Sequence, residues 1–226
     1  MKKTYKVLKN LIGFYLARIM SKYHIPLEPD KCYHLFNHAI GNDLLFRNDE
    51  NFKFFLKKYA LHTTPICDTF SYTLMPNHFH FAVKIKPAKV CAAYFEMIKK
   101  IHFDPVTHNL PDFLMERFSN LCNSYTKSYN KVFKRKGALF IDYMKRSEVD
   151  NDAYFRNLIN YIHFNAVFHG FCKNPLDWEW TSLRSFLQDK KARLRKEGVL
   201  EKFGGMNEFK LAHANMVNPL HEYEFI

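Results

Sequence analysis

Hydrophobic and polar residues follow two different periods along the chain, one typical of strands and one typical of helices. Short apolar runs that are rich in aromatic residues and bounded by proline, glycine or asparagine indicate β-strands. Longer segments with apolar residues three and four positions apart indicate helices. These patterns predict strands at residues 32–39, 66–74 and 78–85, and helices at residues 49–61, 90–101, 112–133 and 150–168.

The order of these elements predicts one main domain of the α+β class. Strands and helices interleave and are separated by turns, which favours a sheet covered by helices on one face. Pro26 and Pro29 interrupt the chain, so we expect the folded core to begin near Lys31. We therefore divide the chain into a basic helical extension at 1–30, the main domain at 31–189 and a helical tail at 190–226.

The last predicted helix has recognisable signals at both ends. Asp150 or Asn151 is suited to cap its first turn, and Gly170 stands just beyond its last residue. The apolar residues between these two positions follow a strongly helical pattern.

Composition adds a prediction about the partner. The 226 residues are 47% hydrophobic, enough for a large core, and Lys plus Arg exceed Asp plus Glu by 34 to 22, a net charge of +12. Aromatic residues, which are counted among the hydrophobic ones, make up 17% of the chain. Positive charge suits a phosphate backbone and aromatic rings suit stacked bases, so a nucleic acid is the favoured partner.

The cysteines and the N-terminal residues carry information about the cellular compartment of the protein. The five cysteines are scattered and include no Cys-x-x-Cys, which argues against a disulfide framework and a zinc ribbon and favours a reducing, cytoplasmic compartment. The apolar run at residues 11–17 is bounded by Lys9 and Arg18 and is followed by no cleavage site, so we interpret it as part of a basic amphipathic helix. No stretch reaches the roughly 18 apolar residues of a membrane span.

A basic cluster follows the third predicted helix, around Gly137 and before a predicted short strand. Such a cluster is either a solvated face or a surface that contacts phosphates. We take the second interpretation as the candidate DNA-binding set, which comprises Lys127, Lys131, Lys134, Arg135, Lys136, Lys145 and Arg146.

Two histidines stand two positions apart in the strand predicted at 78–85. A strand repeats every two residues, so His78 and His80 leave the same face with Cα atoms about 6 to 7 Å apart. Imidazoles at that separation are able to bind one metal ion, although buried histidines held by hydrogen bonds would show the same spacing. His34 and His38 also share a face, but at roughly 13 Å they are too far apart to bind one ion together.

The helix predicted at 150–168 supplies a second pair of polar side chains. Tyr161 and Asn165 are four residues apart and lie on one helix face, so a phenol and an amide oxygen are able to reach one site. Only about one tyrosine in a thousand is ionised at neutral pH, so a nucleophilic tyrosine needs help from its surroundings, such as a neighbouring metal ion. Without the two histidines, a core tyrosine with its hydroxyl hydrogen-bonded would be the default interpretation of Tyr161.

Three motifs in order give a specific resemblance. Met-Pro-Asn-His-Phe-His at 75–80, Tyr-Ile-His-Phe-Asn-Ala-Val at 161–167 and Asp-Trp-Glu-Trp-Thr-Ser at 177–182 resemble the single-tyrosine HUH transposases, in particular their branch associated with repetitive extragenic palindromes (REP). The resemblance covers about residues 31–187. It implies a ferredoxin-like (RRM-like) antiparallel sheet with helices packed on it.

The resemblance also implies roles and an activity. His78, His80 and Asn165 become ligands of Mg²⁺ or Mn²⁺, and Tyr161 becomes the nucleophile that cuts single-stranded or hairpin DNA. The products are a 5′-phosphotyrosine and a free 3′-hydroxyl, and reversal by another 3′-hydroxyl transfers the strand. Relatives act as monomers or homodimers, and no membrane partner is implied.

Some residues depart from the family pattern. Ala166 stands where proline is common, Ile141 where glutamine is common and His38 where arginine is frequent. The departure at Ile141 puts local DNA contacts in doubt, and that at His38 implies a weaker phosphate contact.

Other interpretations stay open. Tyr125 and Tyr129 share a helix face and are a second choice for the nucleophile, whereas Tyr154, His163 and the two tryptophans are expected to be structural. The chain is also consistent with a catalytically inactive, domesticated protein that binds DNA hairpins. A metal-dependent hydrolase with water as nucleophile and an RNA-binding module are further alternatives.

Overall fold

One antiparallel sheet organises the protein in the computed structural model, which describes residues 23–188 and 192–216. Its strands lie in the order β2–β3–β1–β4, and every neighbouring pair is antiparallel. This is the ferredoxin-like arrangement, and the α+β prediction is confirmed. The strands are β1 (Cys32–His38), β2 (Cys67–Met75), β3 (His78–Ile85) and β4 (Lys145–Glu148).

Seven α-helices are described together with one short 3₁₀ turn at Pro175–Asp177. None of the described helices is long and apolar enough to cross a bilayer. The helices are α1 (Asp49–Thr63), α2 (Ala88–Lys99), α3 (Leu110–Val132), α4 (Asp152–Phe168), α5 (Leu183–Leu187), α6 (Lys196–Phe203) and α7 (Met206–Ala214).

The predicted elements are confirmed with shifts of one or two residues at most of their ends. β3 has the predicted bounds because Pro76 and Asn77 precede it and Pro87 follows it. α4 begins at Asp152, since the Asn151 side chain accepts a hydrogen bond from the Tyr154 backbone N–H at 2.8 Å and thereby caps the helix. Gly170 lies beyond the helix end at φ 72°, where glycine costs no strain.

The first core lies on the sheet face formed by Phe79 and Phe81 of β3. Helices α1 and α3 pack there. The Phe55 ring of α1 lies 5.0 Å from Phe79, and the Tyr59 ring of α1 stacks on Phe81 at 4.0 Å, both between ring centroids. Phe118 of α3 is completely buried in the same core.

A second core lies on the opposite face, which carries His78, His80 and Ala82. Helix α4 packs on this face, where the Phe155 ring meets Phe70 of β2 edge to face at 5.1 Å. Helices therefore cover both faces of the sheet, and the expectation of one covered face is wrong. The long buried runs of β2 and β3 are those of strands with apolar layers on both sides.

Residues 23–30 pack against the sheet ahead of the predicted start of the core. Leu27 is completely buried in the first core, and the Tyr33 hydroxyl donates a hydrogen bond to the Pro26 carbonyl oxygen at 3.2 Å. The core thus begins before Lys31. The helical prediction for residues 1–22 lies outside the described residues.

The segment that contains the two tryptophans covers the free edge of β2. The Leu74 N–H donates to the Trp180 carbonyl oxygen, and the Ser182 N–H donates to the Tyr72 carbonyl oxygen, both at 2.9 Å. The Trp180 ring stacks on Phe52 at 4.5 Å. The tryptophans therefore pack structurally, as expected, and protect an edge that would otherwise pair with other chains.

The described part of the tail, residues 192–216, completes the second core. Val199 of α6 and Phe209 of α7 are fully buried with side chains of α4. His213 of α7 lies 2.8 Å from His163 of α4 through Nε2 and Nδ1, and His163 Nε2 lies 2.9 Å from the Ser182 hydroxyl. His163 is thus structural, as expected.

We predict that Phe209→Ala destabilises the whole domain, because it opens a cavity in the second core. The free energy of unfolding should fall by about 3 to 5 kcal/mol in one cooperative denaturant transition. Leu211→Ala is the matched control on the same helix, since Leu211 is 62% exposed, and it should change that free energy by less than about 0.5 kcal/mol. Equal effects of the two variants would contradict the assignment of α7 to the core.

Candidate active site

The candidate site lies where β1 and β3 pair beneath helix α4. His80 is opposite Phe36 and His78 is opposite His38 in the β1–β3 register, so these side chains share the face that α4 covers. His78 is 1% exposed and His80 is fully buried. The sequence expectation that both histidines leave one face agrees with this register.

A chain of hydrogen bonds sets the orientation of the His78 ring. The Ala39 carbonyl oxygen lies 2.6 Å from His38 Nδ1, so that nitrogen carries a proton and donates it. In the neutral ring His38 Nε2 then accepts from Asn77 Nδ2 at 3.0 Å. This leaves Asn77 Oδ1 to accept from His78 Nδ1 at 2.8 Å. Neutral His78 therefore presents an unprotonated Nε2.

The second histidine is held by a neighbour that sequence spacing did not reveal. His34 Nε2 lies 2.9 Å from His80 Nδ1, and the two rings stack with centroids 5.1 Å apart. His34 comes from β1, 46 positions before His80. The only signal in the sequence was that both occur in strands with an aromatic, apolar pattern, and the register that joins them depends on the fold.

Helix α4 brings Tyr161 and Asn165 to the histidines. The Tyr161 ring meets the His80 ring edge to face at 5.4 Å between centroids, and Asn165 Oδ1 lies 3.1 Å from His78 Nε2. The four side chains that sequence spacing selected therefore lie together. Their spacing on the strand and on the helix explains this, because each pair projects from one face.

Burial dominates the electrostatics of the site. It lowers the pKa of His34 and of His78 to about 3, and it holds the pKa of His80 well below the ordinary value of histidine. These rings are thus neutral at pH 7. Burial also raises the pKa of Tyr161 to about 12, which the hydrogen bond with the Asn165 side chain partly offsets. The phenol is therefore fully protonated in the resting protein.

His169 forms the exposed margin of the site. It follows α4 directly, and its ring lies 4.6 Å from the His78 ring between centroids. Phe168 stacks on Tyr161 at 6.2 Å. Tyr161 is only 5% exposed, and Phe168 is one of the rings packed against it.

The polar atoms at the centre of the site suit a divalent cation. His80 Nε2 is buried without a hydrogen-bond partner among the described residues, and His78 Nε2 and Asn165 Oδ1 are two acceptors that face each other at 3.1 Å. Neighbouring ligands of an octahedral Mg²⁺ lie about 3 Å apart. Residues 23–188 and 192–216 hold no group of three His, Cys, Asp or Glu placed to bind a metal. A cation at this site would therefore have two imidazoles and the Asn165 amide oxygen as its protein ligands.

The alternative nucleophiles lie on the other side of the sheet. Tyr125 and Tyr129 belong to α3 in the first core, and their hydroxyls donate to the carbonyl oxygens of Leu45 and Leu44. Burial raises the pKa of both phenols. Tyr154 of α4 lies with its hydroxyl 3.2 Å from the Ser147 hydroxyl and supports the helix, as expected.

The basic cluster divides into exposed and structural members. Lys127, Lys131, Lys134 and Lys136 are exposed, and Lys145 is half-buried. Arg135 forms a salt bridge with Asp43. Arg146 is only 7% exposed, and its guanidinium donates to the carbonyl oxygens of Ile25 and Met144. Arg146 thus anchors the entering chain, and the structure does not place it on a phosphate-contacting surface.

The departures from the family pattern have visible consequences. Ala166 is buried within α4 and lets the helix continue to Phe168, where proline would remove a backbone donor. Ile141 is 54% exposed beside the site, with its N–H bonded to the His38 carbonyl oxygen. His38 faces the Asn77 side chain and takes part in the chain that orients His78.

Comparison with solved structures finds a similar fold. A solved structure of a REP-associated tyrosine transposase bound to a REP hairpin matches with a TM-score of 0.51 and 13% sequence identity, over 74% of this chain and 84% of that chain. At this identity the similarity establishes the fold. No protein-family model and no curated protein matches the chain.

Proposed function

We propose that the protein is a DNA transposase-like enzyme that cuts and rejoins single-stranded or hairpin DNA with Tyr161 as nucleophile and Mg²⁺ or Mn²⁺ as cofactor. The observation that carries the proposal is the convergence of His78, His80, Asn165 and Tyr161 on one sheet face. The ferredoxin-like fold, its similarity to a transposase that binds a DNA hairpin, and the three ordered sequence motifs support it.

His78 Nε2, His80 Nε2 and Asn165 Oδ1 would hold the proposed cation. When bound, it polarises the scissile phosphate and offsets the charge that develops on its oxygens. The protein's part is to present these atoms without protons. His78 does so because the chain through Asn77 keeps its proton on Nδ1.

In the proposed reaction the Tyr161 hydroxyl oxygen attacks the phosphorus of a phosphodiester. A bond forms between Tyr161 Oη and phosphorus, the bond to the 3′-oxygen breaks, and that oxygen leaves as a hydroxyl. The phenol proton must leave during the attack, because the pKa of Tyr161 is about 12. The bond energy is kept in the phosphotyrosine, so a second 3′-hydroxyl is able to reverse the step and join strands.

Access to Tyr161 requires a local rearrangement. The phenol is 5% exposed and is covered by Phe168, while His169 forms the exposed margin. A phosphodiester reaches the hydroxyl after these side chains at the end of α4 move aside. Substrate binding and opening of this end are therefore coupled in the proposed mechanism.

The proposed DNA surface consists of the exposed lysines of the basic cluster. Lys127 and Lys131 project from the last turns of α3, and Lys134 and Lys136 follow in the next loop. The segment after this loop reaches the site, since the Ile141 N–H bonds to the His38 carbonyl oxygen.

A second candidate is a protein that binds DNA hairpins without cutting them. The burial of Tyr161 and the raised pKa of its phenol favour this alternative, because both oppose nucleophilic attack. Binding would then use the same lysines and fold. The two candidates differ in a single observable, a covalent bond between protein and DNA.

We predict that the wild-type protein forms a covalent adduct with labelled single-stranded hairpin oligonucleotides in Mn²⁺, and that Tyr161→Phe forms none. The reason is that phenylalanine has no oxygen to attack phosphorus. Denaturing gel electrophoresis measures the adduct, and EDTA should abolish it. Tyr154→Phe on the same helix is the matched control and should retain adduct formation. Hairpin binding without any adduct would support the second candidate.

We predict that the protein binds one Mn²⁺ and that His80→Gln and Asn165→Leu each weaken this binding at least tenfold, because each removes a proposed ligand. Isothermal titration calorimetry of the DNA-free protein measures the affinity. His108→Gln, which changes a histidine near α3, is the control and should bind like the wild type. Unchanged affinity in both ligand variants would contradict the proposed metal site.

We predict that changing four exposed lysines to glutamine weakens hairpin binding and reduces its dependence on salt. Each lost phosphate contact should lower the slope of log affinity against log salt by about 0.7, or by about 3 for four. Fluorescence anisotropy over a salt series measures this slope. The variant changes Lys127, Lys131, Lys134 and Lys136.

A charge-matched control distinguishes a local surface from a general effect of net charge. It removes four exposed lysines that lie on other elements and should leave the slope nearly unchanged. Equal slopes for the two variants would contradict the proposed DNA surface. The control changes Lys57, Lys89, Lys100 and Lys210.

A further inference from the structure

We infer that His34 is a positioning residue that holds the His80 ring with its proton on Nδ1 and its Nε2 open toward the cation. This inference rests on the proposed function, since it assigns the purpose of His34 from the proposed metal site. His34 does not bind the cation itself. It acts through the hydrogen bond that joins it to His80.

The geometry of the pair is well defined. His34 Nε2 lies 2.9 Å from His80 Nδ1, and both residues are completely buried. The His34 ring is stacked on Phe36 at 4.8 Å and on His80 at 5.1 Å, so two ring neighbours restrict its orientation. A hydrogen bond between such fixed rings specifies the rotation of His80 about its side-chain bonds.

The hydrogen bond also bears on the protonation of His80. One proton lies between His34 Nε2 and His80 Nδ1, and either ring is able to donate it. A metal ligand needs an unprotonated nitrogen, so neutral His80 must carry its proton on Nδ1 and His34 must accept. Metal-binding histidines in proteins almost always donate their second ring N–H to such an acceptor.

A comparison with the other buried histidine pair separates this arrangement from ordinary core packing. His163 also meets a histidine, His213, but its second ring nitrogen is bonded to the Ser182 hydroxyl, so both of its nitrogens are used within the protein. His80 Nε2 has no partner among the described residues, and the His80 ring meets the Tyr161 ring edge to face. Of the two pairs, only His34–His80 thus leaves a ring nitrogen, His80 Nε2, available to a ligand.

His78 has a matching arrangement, which supports the inference. Its Nδ1 donates to Asn77 Oδ1 at 2.8 Å, and its Nε2 faces Asn165. Both proposed imidazole ligands therefore have Nδ1 engaged by a side chain of the sheet. The two holders differ in chemistry, an amide for His78 and an imidazole for His80.

The first test measures the tautomer of His80 in the metal-free protein. Long-range ¹H–¹⁵N spectra of histidine-labelled protein distinguish Nδ1–H from Nε2–H rings, and the His80→Gln variant assigns the signal. We expect Nδ1–H in the wild type and a loss of this preference in His34→Phe, which has no acceptor. An Nε2–H ring of His80 in the wild type would overturn the inference.

The second test measures Mn²⁺ affinity by calorimetry in His34→Phe and His34→Gln. We expect a 10- to 100-fold loss for phenylalanine, as for other residues that support metal ligands, and recovery to within a few-fold for glutamine, whose amide oxygen accepts. Equal affinity of His34→Phe and the wild type would overturn the inference. His213→Phe, which removes the partner of the other histidine pair, should bind Mn²⁺ like the wild type.

The two tests separate failure of this inference from failure of the proposed function. Absence of Mn²⁺ binding by the wild type would overturn the metal site and the positioning role together. Binding by the wild type that does not depend on residue 34 would overturn the positioning role alone. Should His34→Phe not fold, the tautomer of His80 in the wild type and the Mn²⁺ affinity of His34→Gln still test the inference. An Nε2–H ring of His80 in the wild type, together with a folded His34→Gln that loses Mn²⁺ affinity, would exclude the positioning role.

Discussion

The alternation of side chains along β3 is the constraint on which the rest of the structure depends. Phe79 and Phe81 point into the first core, where α1 and α3 bury them, while His78 and His80 point toward α4. A shift of the β1–β3 register by one residue would exchange the two faces. It would bury the imidazoles among phenylalanines and remove them from Tyr161. The packing of the first core thereby fixes the geometry of the candidate site on the other face.

Burial gives this site its chemical character. Neutral imidazoles with assigned protons are good ligands for a cation, and low exposure strengthens their electrostatic interactions. The same burial raises the pKa of Tyr161, so the phenol is harder to activate, and a residue that is 5% exposed is harder to reach. In the proposed function, opening of the end of α4 would expose Tyr161, and the entering cation and phosphodiester would offset the raised pKa of its phenol. In a hairpin-binding protein without catalysis, Tyr161 would stay buried and protonated.

The sequence predicted the elements of the sheet and the central residues of the candidate site because both depend on local spacing. Residues two apart share a strand face and residues four apart share a helix face, so His78 pairs with His80 and Tyr161 with Asn165 before any tertiary contact is known. The resemblance to transposases then predicted that the two pairs form one site. His34 was missed because its contact with His80 depends on strand register. The second core was missed because α6 and α7 are distant in sequence from β2, and Arg146 reads as a surface charge until its carbonyl partners are seen.

The central claim is that the residue joined to DNA is the tyrosine beside the histidine pair, and peptide mapping of a trapped protein–DNA adduct tests it most directly. After nuclease and trypsin digestion, cleavage at Arg156 and Lys173 leaves peptide 157–173, whose one tyrosine is Tyr161. The account predicts the mass of a 5′-linked nucleotide on this peptide. A nucleotide on the peptides that contain Tyr125 or Tyr129, or on none in protein that binds hairpins and Mn²⁺, would contradict it.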